Sequence, residues 1–302
     1  MQTSKIFSKP YGVLFLKLLI LSTAFYTIYS KIQDFQIPIP ILPIAAIFLT
    51  AGFSIVNWYL EILKWKSLVN TSANISFSTS LNQSLAAHTT AIITPNKIGE
   101  YGAKAAFYKR PLRKKIIGLT FIGNSYQMAV TTVFGAIGIL RYKHELFHQN
   151  TVIIVFISAL LAGLVLYSLH KTKNIFSVFQ KLTLRTHRTV FLLSFLRYLC
   201  FSFQYLFLLY VLGVQHPFLE LLPLIWLLYF ISSCIPSFAL LDFAVKGSVA
   251  LVLFSHLQIP NTILLTTAFL MWLFNFAIPA IIGGFYISTF QTAKQLHYDT
   301  ID

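Results

Sequence analysis

Acidic side chains are scarce in this chain, with 8 Asp+Glu among 302 residues and none next to another. That supplies no acidic cluster for metal-assisted transfer of phosphate groups. The 8 histidines show no HExxH or related ligand spacing. No nucleotide-binding loop occurs either, so no metal, no other cofactor and no enzymatic activity is expected. Cysteine is limited to Cys200 and Cys234, both inside apolar stretches, where buried thiols without a redox role are expected. Charge of either sign makes up only 10% of the chain against 57% hydrophobic residues, and the mean hydropathy is +0.73. Soluble domains carry about 25% charged residues, so water is excluded as the main solvent.

What the chain does have is long apolar runs. A hydrocarbon core about 30 Å thick takes roughly 20 helical residues to cross. Runs of that length lie near 11–30, 41–60, 116–140, 151–169, 189–212 and 261–290. Their continuity excludes the alternating pattern of a membrane β-barrel. The sequence therefore predicts an all-α, polytopic transmembrane helix bundle forming a single domain over residues 1–302. Lys5 and Lys9 precede the first run, whose length and lack of a small-residue cleavage site predict a retained helix rather than a signal peptide. Trp58, Trp65, Trp226, Tyr229 and Trp272 fit either interfacial anchoring or packing.

Two further apolar regions, 77–108 and 221–256, are interrupted by Pro95 and Pro236. Proline removes a backbone donor, so at membrane depth the freed carbonyl needs protein or trapped water beside it. Both regions are expected to be broken or re-entrant hairpins.

A net charge of +15 raises the question of nucleic acid. The positions answer it. The basic residues sit in short loops between apolar runs, where cytoplasmic retention and anionic lipid headgroups account for them, and no nucleic-acid partner is expected. With the N-terminus inside and each hairpin returning to its starting side, 17 of the 23 Lys+Arg fall inside, Lys64 and Lys66 among them. Only Lys31, Arg141 and Lys143 fall outside, and Lys17, Arg197 and Lys246 lie within apolar segments. Both termini are expected in the cytoplasm. The two hairpins then open to opposite sides, an inverted-repeat-like arrangement that suggests alternating access.

Each interruption carries the same pattern. Glu100 follows Pro95 and is itself followed four residues later by Lys104; Asp242 follows Pro236 and is followed four residues later by Lys246. That spacing puts acid and base on one helix face. A charge facing hydrocarbon costs at least about 2.5–3.5 kcal/mol, so both pairs should face a protein-lined cavity unless the lysines snorkel to an interface. Arg197, whose guanidinium can clamp a phosphate in two places, is a third candidate after the two pairs and lies inside an apolar run. Asn57, Asn124 and Asn275 are expected to bond between helices.

The segment Thr94-Pro95-Asn96-Lys97-Ile98-Gly99-Glu100, with weaker support from Glu61-Ile62-Leu63-Lys64-Trp65, resembles the flippase-like family that includes the transmembrane domain of lysylphosphatidylglycerol synthases. The resemblance spans most of the chain. At the second break it departs from the family's pattern, since Ser237 to Leu241 hold no glycine and Asp242 stands where glutamate is usual. The resemblance implies a multi-pass protein of the inner (plasma) membrane that moves or handles a phospholipid or lipid-linked sugar between leaflets. Synthase members carry a further soluble domain, and with this chain ending at Asp302, soon after its last run, the synthase reaction is not expected of it. The expected headgroup path comprises Pro95, Asn96, Glu100, Lys104, Arg197, Pro236, Asp242 and Lys246. Membrane lipids are the expected partners. The alternatives are a membrane transferase acting on a lipid, or a non-transporting partner subunit of a cell-envelope or lipid-modifying enzyme.

Overall fold

An apolar segment away from water must satisfy its backbone polar groups internally, and the helix does so within one segment. In the computed structural model, residues 42–92, 94, 97–146, 173–235 and 241–288 are described, and every regular element among them is helical. The elements are α1 (Ile44–Val69), α2 (Phe77–Ala91), α3 (Ile98–Ala106), α4 (Arg110–Leu146), α5 (Lys173–Gln180), α6 (Leu184–Val211), α7 (Phe218–Cys234), α8 (Asp242–Leu253), α9 (Asn261–Trp272) and α10 (Ile278–Ser288). Local chemistry sets the starts. Ser76 Oγ accepts from the Thr79 amide to cap α2, Thr183 caps α6 in the same way through Thr186, and Pro43, Pro217 and Pro260 stand immediately before α1, α7 and α9.

Helices α9 and α10 form one rod through a π-helical turn at Leu273–Ala277. Pro279 has no amide to offer the carbonyl four residues back, which belongs to Asn275. The indole Nε1 of Trp58 takes that carbonyl at 3.1 Å, and His88 Nε2 lies 3.1 Å from the next one, Phe276 O. The turn is thus held by side chains from α1 and α2.

Among the described residues three helices, Ile44–Val69, Leu184–Val211 and the rod Asn261–Ile287, are long and apolar enough to cross a membrane. On the first two the polarity is inside out. On α1 the buried positions include Thr50, Ser54, Asn57, Glu61 and Lys64, while Ile44, Phe48, Leu49, Ile55 and Val56 are exposed. On α6, Ser194, Ser202 and Gln204 are buried and Phe191, Leu192 and Phe203 exposed. A soluble helix does the reverse; the distribution is that of a protein embedded in lipid, where polar groups must turn to one another.

The run at 116–140 lies in α4, 37 residues long, yet α4 is not among the three. Its centre reads Asn124-Ser125-Tyr126-Gln127, of which Asn124 and Gln127 line the cavity described below. The region 77–108 divides into α2 and α3, and 221–256 into α7 and α8, so both interruptions are breaks between helices. The runs at 11–30 and 151–169, with Lys5 and Lys9, lie outside the described residues. Helix α1 packs on α6, α4 on α7, α10 on α2 and α8 on α9. Trp65, Trp272 and Tyr229 are buried, which assigns them to packing rather than to an interfacial belt. Cys200 is partly buried, its thiol 3.2 Å from Phe53 O, whereas Cys234 is exposed, contrary to the expectation of two buried thiols; it falls at the last residue of α7, where the helix gives way to the second break.

Candidate functional site

Both acid and base pairs form. Lys104 Nζ lies 2.6 Å from Glu100 Oε1 and Lys246 Nζ lies 2.6 Å from Asp242 Oδ2. The helical spacing of four residues dictates this much, but the two pairs need not have met. They line one cavity of about 360 Å³. Lys104 does not snorkel. Its side chain is 3% exposed and its ammonium sits 4.3 Å from the centre of the Trp65 ring, where the ring quadrupole attracts it.

Arg197 enters the same cavity from α6, and its position is fixed at two points. Its Nη1 lies 2.7 Å from Glu61 Oε2, and its Nε donates to Asn57 Oδ1 at 2.9 Å. Glu61 also holds Lys64, 2.6 Å away and only 2% exposed. Arginine has donors only, so Asn57 must turn its oxygen toward it and its amide away. That amide donates to Asn275 Oδ1 at 2.8 Å, Asn275 donates to Gln204 Oε1 at 2.8 Å, and Gln204 donates to Thr50 O at 3.0 Å and Ser54 Oγ at 2.9 Å. The chain of amides ends on a backbone carbonyl, which only accepts. Its direction is therefore set consistently from both ends, and it ties α1, α6 and the π turn together beside the cavity. Asn124 bonds separately, its amide donating to Tyr101 OH at 3.0 Å.

Glu61, Glu100 and Asp242 face the cavity with Lys97, Lys104, Arg197 and Lys246. Glu220, the one other acid whose side chain is described, pairs elsewhere with His216 at 3.1 Å. Among the described residues, then, three of four acids converge on one cavity. Of the residues expected on the headgroup path, Glu100, Lys104, Arg197, Asp242 and Lys246 are brought together here, while Pro95, Asn96 and Pro236 lie outside the described residues.

Several cavity residues escaped the sequence reading. Glu61 was legible only as part of a family-like string, and Lys64, counted with the cytoplasmic loop charges, is instead buried against it. Lys97, likewise counted with loop charges, lines the cavity along with His88, Ser84 and Gln127. One signal was available: Asn57, Glu61 and Lys64 recur at three- and four-residue spacing along a single stripe of an otherwise apolar helix.

No group of three or more His, Cys, Asp or Glu able to hold a metal occurs among the described residues. Against protein-family models, curated proteins and solved structures, the chain gives no match.

Proposed function

We propose that this protein is a polytopic membrane protein that passes lipid headgroups between leaflets, the headgroup moving through the charged cavity while the acyl tails stay in the bilayer. One observation carries the proposal: two helix breaks far apart in sequence contribute their acid and base pairs to one cavity inside a shell whose outer face is apolar. Charge so placed needs polar company, and a headgroup needs a polar track of the same kind. Transporter folds set broken helices of two inverted halves around a central substrate site, and the hairpin directions inferred from positive charge suit that scheme. The resemblance at Thr94 to Glu100 adds to it, with the inner membrane as the location it implies.

The test is reconstitution of the full chain in liposomes with a panel of headgroup-labelled lipids, followed by the loss of labelled lipid from the protected leaflet. Movement of at least one headgroup class is expected, slowed tenfold or more in the Glu100→Gln, Asp242→Asn double variant. No movement across the panel, or equal movement in a folded double variant, overturns the proposal; the latter result favours a non-transporting partner subunit. Divalent-metal-dependent turnover of a lipid, lost in either single variant, favours the transferase instead.

A further inference from the structure

The charges at the cavity do not cancel. Four bases line it, Lys97, Lys104, Arg197 and Lys246, against three acids, Glu61, Glu100 and Asp242, and a fifth base, Lys64, stands behind Glu61. Glu100 and Asp242 each answer one lysine, and Glu61 is shared by Lys64 and Arg197. Lys97 has no carboxylate within ion-pair distance among the described residues; its ammonium stands 5.6 Å from the centre of the Phe276 ring. It is also the reachable base. Lys104, Arg197 and Lys246 are buried or about a quarter exposed, whereas Lys97 is exposed and still lines the cavity. Its backbone is left-handed at φ 58°, where the chain turns from the first break into α3.

Neutral groups in the same wall are also without partners. Ser84 is 3% exposed and its hydroxyl makes no hydrogen bond. Both polar atoms of the Gln127 amide are buried and unbonded. Buried polar atoms are nearly always satisfied by protein, water or ligand, so an unsatisfied pair facing one cavity fits a ligand that supplies both donors and acceptors. An anion alone meets the surplus positive charge and leaves the Gln127 oxygen without a donor.

We propose that Lys97 anchors an anion subsite at the open side of the cavity, and that its ligand is a phosphate ester carrying hydroxyl groups, the phosphate held by Lys97 and the hydroxyls read by Ser84 and Gln127. This names the headgroup class for the transport reading and rests on that reading only for the lipid tails. A polyol phosphate reaches the cavity either as a glycerol- or sugar-bearing phospholipid or as a soluble phosphate ester.

The experiment measures binding, not transport, on the purified full chain in detergent. The probes are short-chain phosphatidylglycerol, phosphatidylmethanol (anionic, without hydroxyls), phosphatidylcholine and glycerol 1-phosphate. Phosphatidylglycerol is expected to bind best, with phosphatidylcholine weakest. Lys97→Gln should weaken phosphatidylglycerol about tenfold or more, the loss of one charged hydrogen bond, and Lys97→Arg should restore it to within about threefold. Ser84→Ala or Gln127→Leu should erase the preference for phosphatidylglycerol over phosphatidylmethanol while leaving phosphatidylmethanol unchanged. Lys97 is exposed, so its variants should fold, which elution as a single species checks. Binding of phosphatidylglycerol indifferent to Lys97→Gln, or equal binding of all three lipids, overturns the subsite. Glycerol 1-phosphate binding as tightly as the lipid supports the subsite and counts against lipid transport. Transport in liposomes with binding indifferent to Lys97 does the reverse.

Discussion

The two helix breaks carry the same local device and hold it differently. At the first, the Glu100 and Lys104 side chains are 17% and 3% exposed, and Lys104 is covered by Trp65. At the second, Asp242 and Lys246 are 25% and 24% exposed, and the nearest ring, that of Tyr229, is 5.5 Å from the lysine. The backbone differs in the same sense. A Cβ on Gly99 would stand 2.6 Å from Thr90 O, which is backbone, and the Gly99 amide donates to Thr94 Oγ1 at 2.8 Å. A Cβ on Gly247 would crowd the tip of Leu265, at 2.9 Å, and otherwise meet only Ala268 Cβ at an ordinary 3.9 Å. The first break is closed against α2 and covered by Trp65 from α1; the second is more exposed. Equal spacing in sequence thus yields equal ion pairs but unequal anchoring.

Variants can break or sharpen this contrast. The largest effect is expected from Glu61→Gln, which leaves Lys64 and Arg197 without their shared carboxylate and should lower stability by about 3–5 kcal/mol; unchanged thermal melting in detergent would show that this carboxylate does not hold α1 to α6. Next comes the paired test of Lys104→Met and Lys246→Met. The first strands a buried carboxylate and should cost about 3 kcal/mol, the second about 1 kcal/mol because water and ions screen it. Equal losses in the two melts would erase the distinction between the halves. Smallest is the glycine pair. Gly99→Ala should destabilise by about 2 kcal/mol, since backbone must move, and Gly247→Ala by well under that, since Leu265 can change rotamer. If Gly247→Ala proves the worse of the two, the second break is the rigid one.

The helices and both ion pairs were legible because they depend on nearby residues: apolar length and four-residue spacing act within one segment. Arg197 was legible as a charge that hydrocarbon would not tolerate. Glu61 and Lys97 were not. Glu61 becomes a cavity residue because α6 carries Arg197 to it across 136 positions of chain, and Lys97 counts as a loop lysine until the break is seen to open on the cavity. The π turn also escaped notice, although Pro279 announces a missing amide, because its satisfaction comes from Trp58 and His88 on other helices.

By itself the sequence determined that the chain is too apolar for water to be its main solvent, that the described segments are helical, and that two acid and base pairs form where the helices break. Tertiary structure alone decided that the pairs share one cavity, that Lys97 has no carboxylate within ion-pair distance among the described residues, and that the two halves differ in exposure. The reason is physical. Helix formation and four-residue ion pairs are settled by the backbone within a turn or two, whereas the cost of a buried charge is settled by whatever partner a distant helix brings to it.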